Sequence, residues 1–117
     1  INTEMRIYNN FESIYNDRHQ LPSEGWIYIK EEDFEDLSKA SYFVFEENEL
    51  SLSDFTETDQ DVVPTTLYKQ FHSITTLVET YIFMAIYEHM EQENKPFTLE
   101  EKIEALYYYL EEDTFLY

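Results

Sequence analysis

Three histidines, twenty-six carboxylates and a single glycine are the groups with which this sequence could do chemistry. His19, His72 and His89 show no metal spacing, and no His-x-x-x-His pair occurs. Cysteine is absent, which removes disulfides, thiolate zinc sites and cysteine nucleophiles. Gly25 is the only glycine, whereas a dinucleotide fingerprint, a P-loop or a nucleophile elbow each needs more than one. Serines and acids are too numerous for a hydrolytic triad to stand out, because a triad is defined by a placed base and an orienting acid. Composition therefore argues against an enzyme; no catalytic, cofactor-binding or metal-ligating residue is assigned.

The carboxylates are concentrated. Glu31, Glu32, Asp33, Glu35, Asp36, Glu46, Glu47, Glu49, Asp54, Glu57, Asp59 and Asp61 fall within one stretch, opposed only by Lys39. A calcium loop there would require a glycine for its sharp turn and a closing glutamate, and the stretch offers neither at the right place. A glycosidase pair would need one acid held in an apolar pocket at a fixed distance from its mate, and the chain is short for a sugar cleft. The whole sequence carries 26 Asp and Glu against 7 Lys and Arg, a formal charge of −19. Phosphate backbones and anionic membranes repel such a chain, and basic proteins attract it. A charge run is by default a solvated face, but Phe34, Leu37 and Phe55 sit inside this one. Aromatic anchors supply binding energy while surrounding charges set orientation and on-rate. The twelve acids with Phe34 and Phe55 are thus the expected partner-binding residues, facing a basic protein rather than nucleic acid or membrane.

The elements that must hold these groups follow from periodicity. With 117 residues, 43% hydrophobic and 18% aromatic, the chain is one domain, 1–117, with its own core. Met5, Tyr8, Phe11, Ile14 and Tyr15 recur at helical steps behind a Thr3 N-cap, and Leu21-Pro-Ser-Glu-Gly25 ends that helix. Trp26–Ile29 and Ser41–Glu46 read as strands, with a helical turn in the charged link between them and Leu50-Ser-Leu52 as a third strand. A short helix follows Pro64 with Leu67, Tyr68 and Phe71. Thr76-Leu-Val-Glu79 and Thr98-Leu-Glu-Glu101 both match a capping box. The first predicts a central helix, apolar nearly all round through Tyr87 and ending before Lys95-Pro96. The second predicts a helix with Leu99, Ile103, Leu106 and Leu110 on one stripe. The expected class is α+β: a small antiparallel sheet packed against three to four helices. No apolar run approaches a membrane span, and Ile1-Asn-Thr-Glu-Met-Arg lacks the pattern of a secretion signal, so a cytoplasmic location is expected.

The ending breaks a local rule. Glu111, Glu112 and Asp113 lie where the helix dipole favours cations, and such a contradiction marks either a partner or a local cap with Phe115 folding back. Three consecutive tyrosines, Tyr107 to Tyr109, cannot share one helix face, so at least one lies near solvent. Ala105, Leu106, Tyr108, Tyr109, Asp113 and Phe115 resemble the ending Ala-Phe-x-Tyr-Tyr-x-x-x-Asp-x-Phe of a family of small uncharacterised acidic bacterial domains, Leu106 replacing the aromatic. Leu21-Pro22 before Trp26–Ile29 extends that resemblance to about a third of the chain. In its small size and acidity the sequence also looks like the immunity proteins of contact-dependent toxin systems. That resemblance implies neutralisation of a toxin nuclease C-terminal domain by one-to-one binding. An acidic nucleic-acid mimic that blocks a DNA- or RNA-binding host complex is the alternative.

Overall fold

The computed structural model describes residues 5–117, the side chain of Asn48 excepted. Strands β1 (Met5–Tyr8), β2 (Trp26–Lys30), β3 (Tyr42–Phe45) and β6 (Ile74–Glu79) form an antiparallel sheet in the order β1-β3-β2-β6. Strands β4 (Phe55–Glu57) and β5 (Val62–Pro64) pair as a separate hairpin. Helices α1 (Phe11–Asn16), α2 (Thr65–Gln70), α3 (Thr80–Glu91) and α4 (Leu99–Glu112) complete an α+β fold, with short 3-10 turns between elements.

Both faces of the sheet are covered, which explains why its inner strands are apolar from Trp26 to Ile29 and from Tyr42 to Phe45. On one face Ile27, Ile29, Tyr42 and Val44 meet Phe11, Phe83, Tyr87 and Leu106 from α1, α3 and α4. On the other, Tyr28, Phe43 and Phe45 meet Val63 of the hairpin and Leu67 of α2. Successive strand residues alternate between two cores, so the period-2 pattern is present but written entirely in apolar letters. Tyr42, fully buried, donates its hydroxyl to the Leu37 carbonyl at 2.5 Å. The β2–β6 register slips between Ile27 and Tyr28, leaving Leu77 as the extra residue. This bulge lets neighbouring Leu77 and Val78 both reach the helical core.

Several expectations are corrected. Met5–Tyr8 is a strand, because its backbone pairs with β3 along four residues; the helix begins only at Phe11 and is capped by Asn10, whose Oδ1 accepts from Ser13 N at 2.8 Å. The Thr3 cap lies outside the described residues. Leu50-Ser-Leu52 is not a strand: Leu52 opens a 3-10 turn, 94% exposed, held by a Ser51–Asp54 capping box. Thr76–Glu79 opens no helix. It is the last four residues of β6, and Thr76 gives its hydroxyl and amide to Asp61 rather than to Glu79. Helix α3 starts one residue later without a side-chain cap; the Thr80 amide is satisfied by the Gly25 carbonyl at 3.0 Å. It is two-sided, burying Phe83, Ile86, Tyr87 and Met90 while Tyr81, Glu88 and Glu91 face solvent. The Thr98–Glu101 capping box of α4 is present in both directions, at 2.9 and 3.1 Å. Tyr107, Tyr108 and Tyr109 are all half-buried. No described helix is long and apolar enough to cross a membrane.

Candidate protein-binding surface

The acid-rich stretch divides into carboxylates that the fold consumes and carboxylates that it presents. Asp61 belongs to the first kind: it accepts from the Thr75 hydroxyl, from Thr76 N at 3.2 Å and from the Thr76 hydroxyl at 3.1 Å. It thereby fastens the hairpin to the outer edge of β6 and blunts an edge that would otherwise expose a backbone donor. Asp33 accepts from Ser41 N at 3.2 Å and Asp36 from Ser38 N at 3.0 Å, closing the link between β2 and β3. The Ser38 hydroxyl on Asp36 holds that carboxyl below its usual range. Asp54 caps its own 3-10 turn through Ser51 N at 2.8 Å. Glu46 pairs with Arg6 at 2.7 Å. Glu47 accepts from Trp26 N at 2.5 Å, and burial pushes its carboxyl up.

Glu31, Glu32, Glu35, Glu49, Glu57 and Asp59 are exposed. Three of them converge. Glu31 opens the turn after β2, whose amide is fixed to the Ser73 carbonyl at 2.9 Å; Glu57 ends β4; Asp59 sits at the hairpin tip. Together with Tyr68, His72 and Ile74 they line a polar cleft of about 300 Å³. The cleft exists because Asp61 holds the hairpin against β6, so a consumed acid positions two presented ones. Carboxylates brought together in this way raise the local negative potential and favour a cationic visitor. Only two described carboxylates, Glu46 and Glu91, have a cation within ion-pair distance. Among the described residues no three His, Asp or Glu side chains stand close enough together to hold a metal ion.

The aromatic residues expected as anchors sit differently. Phe34 is half-buried against the helical core, with its carbonyl taking the Tyr107 hydroxyl at 2.5 Å, and Leu37 is fully buried. Phe55 is half-buried in β4 opposite Pro64. The large aromatics that do reach solvent are Trp26, 38% exposed, and Tyr81, 50% exposed. Sequence reasoning passed over them because Trp26 reads as a strand residue and Tyr81 as part of an apolar helix. The signal that was available is the run of acids at the end of α4, which closes over the same side of the molecule: Asp113 lines one groove with Trp26. Asp113 is a left-handed C-cap (φ 56°) whose amide meets the Tyr109 carbonyl at 2.9 Å, and Phe115 folds back onto His89, ring centroids 4.0 Å apart. No family model, curated protein or solved structure matches this chain.

Proposed function

We propose that the protein is a non-catalytic inhibitor that binds and neutralises a basic protein, in the manner of an immunity protein covering a toxin nuclease domain. The observation that supports this reading is the convergence of Glu31 with Glu57 and Asp59 of the distant β4–β5 hairpin on one cleft whose lining includes no Lys or Arg. Fixed anions of this kind speed the encounter with a cationic groove and orient it, and they can stand where substrate phosphates would lie. A standard interface takes about 800 Å² from each partner. That is a modest share of the 7138 Å² surface of this chain.

The test is co-purification with the product of the gene immediately upstream, followed by calorimetry at two salt concentrations. Glu31→Lys, Glu57→Lys and Asp59→Lys together are expected to weaken binding at least about tenfold and to flatten its salt dependence. The consumed acids Asp33, Asp36, Glu46, Glu47, Asp54 and Asp61 are left intact, so the triple variant keeps its fold. Unchanged affinity with unchanged salt dependence would exclude this cleft as the docking surface.

A further inference from the structure

A second groove lies between β6 and the far end of the α3–α4 pair. Its volume is about 200 Å³, and Trp26, Leu77, Ile82 and Tyr109 wall it, with Glu79 and Asp113 at its rim. Trp26 and Glu79 are register partners at the end of the β2–β6 ladder, so the indole and one carboxylate are fixed side by side by the sheet. Asp113 arrives from the C-terminus of α4, where three acids follow Leu110 and no basic residue occupies the last turn. The helix dipole adds its own negative end there. Tyr81, exposed on α3, reports the charge of Glu79: that carboxylate raises its hydroxyl above the ordinary value. Burial, then Asp113, does the same to Tyr109.

The arrangement combines an exposed indole, a partly apolar floor and two carboxylates, which together recognise one chemical group. A planar guanidinium stacks on an aromatic face through its cation–π attraction, lays its methylenes on apolar surface and offers paired N–H donors to carboxylates. The molecule already makes such contacts internally: Arg18 lies 4.1 Å over the Tyr15 ring, and Lys102 4.3 Å over the same ring. Among the described residues no Lys or Arg lines the Trp26 groove or lies over Trp26, Tyr81 or Tyr109.

We propose that this groove is the anchoring site for an arginine side chain of a basic protein partner, stacked on Trp26 and held by Glu79 and Asp113. The inference rests on the basic-partner reading and adds to it an exposed tryptophan, which the acidic cleft lacks. Arginine is favoured over lysine because only guanidinium combines flat stacking with a two-pronged donor set.

Trp26 is the only tryptophan in the chain, so its emission reports this groove directly. The probe is an acetylated, amidated tetra-arginine peptide, with tetra-lysine and tetra-alanine as controls, titrated into full-length protein while amide chemical shifts are followed. Saturable change in Trp26 emission, stronger with arginine than lysine and absent with alanine, is expected. Glu79→Gln with Asp113→Asn should weaken it about tenfold, whereas Glu31→Gln with Glu57→Gln should leave the Trp26 response in place. Shifts confined to the Glu31–Asp59 cleft with a silent Trp26 would overturn the groove assignment while leaving the basic-partner reading standing. No shifts anywhere would remove both. Equal response to the alanine peptide, or a dimer in sedimentation that Trp26→Ala dissolves, would assign the groove to an apolar occupant or a second copy and overturn the proposal.

Discussion

The two ends of the α3–α4 pair carry two grooves of similar size with opposite treatment of charge. At the end where α3 finishes and α4 begins, Tyr15, Tyr87, Met90, Phe97, Glu91, Lys95 and Lys102 line about 240 Å³. There the chain supplies its own cations. Arg18 bonds Glu91 at 2.6 Å and the Tyr15 carbonyl at 2.9 Å, Lys102 covers the Tyr15 ring, and Lys95 lies 5.2 Å from the Phe97 ring centre. At the other end, Trp26, Tyr109, Glu79 and Asp113 have aromatic faces and carboxylates but no cation among the described residues. One groove is finished by folding and the other is left for something else to finish. A satisfied aromatic–cation cluster adds stability, and an unsatisfied one of like composition trades stability for recognition.

Breaking the self-filled groove should have the largest effect. Tyr87 is buried, sits edge-on to Phe11, Tyr15 and Phe83, and donates its hydroxyl to the Lys102 carbonyl at 3.0 Å. Tyr87→Ala should cost about 3–5 kcal/mol by urea denaturation, from the cavity together with the lost hydroxyl hydrogen bond. Arg18→Ala should cost less, about 1–2 kcal/mol, since it removes one ion pair, one backbone contact and one cation–π contact from a mostly covered side chain. The Arg18 Nε has no partner in its buried position, which holds that figure down. If either substitution left stability unchanged, the two grooves would not differ in kind.

The sequence reveals strands β2 and β3 and helix α4 well and the rest less so, for identifiable reasons. Strands β2 and β3 stand out because burial on both faces makes them continuous apolar runs, and α4 because its capping box and its stripe agree. Met5 and Tyr8 happen to lie at helical spacing from Phe11, and nothing local reveals that their backbone pairs with Tyr42–Phe45 some 37 residues on. Thr76–Glu79 satisfies a helix-start pattern and a strand pattern at once, and tertiary pairing with β2 decides between them. The acid run shows a surface class but not its division: Asp59 and Asp61 differ only in which one meets Thr75 and Thr76. The Trp26 groove was hidden because its walls come from β2, β6, α3 and the far end of α4, and Trp26 lies some fifty residues before the others.

The open groove should respond in the opposite sense. Asp113 holds a left-handed conformation at the negative end of a helix, and both features disfavour an acidic L-residue there. Asp113→Gly should raise stability by about 0.5–1 kcal/mol, read as a higher melting temperature, because glycine accepts the left-handed cap without strain and removes a charge from the dipole's wrong end. The same variant should bind the arginine peptide more weakly. A gain in stability paired with a loss of binding is the signature of a residue kept for recognition. A loss of stability would mean that the carboxylate serves the cap itself and that the two grooves are alike in being structural.

The smallest effect is a titration, and it tests whether the open groove is wired as described. The Glu79 carboxylate is the main cause of the raised Tyr81 hydroxyl. A phenol raised in the folded state keeps its proton longer there than in the unfolded chain, so its contribution to stability is complete below about pH 10 and is lost as pH climbs through the folded value. Glu79→Gln should therefore move the Tyr81 transition down toward 10 and leave the Tyr87 hydroxyl, raised chiefly by burial, where it was. Carbon-13 labelling of the tyrosine rings resolves the two. A bound arginine peptide should shift Tyr81 in the same direction as Glu79→Gln, since both cancel the same negative charge, and should do nothing further in the variant. If peptide and substitution shifted Tyr81 additively, the peptide's guanidinium would be neutralising some charge other than Glu79, and the open groove would have to be redrawn around it.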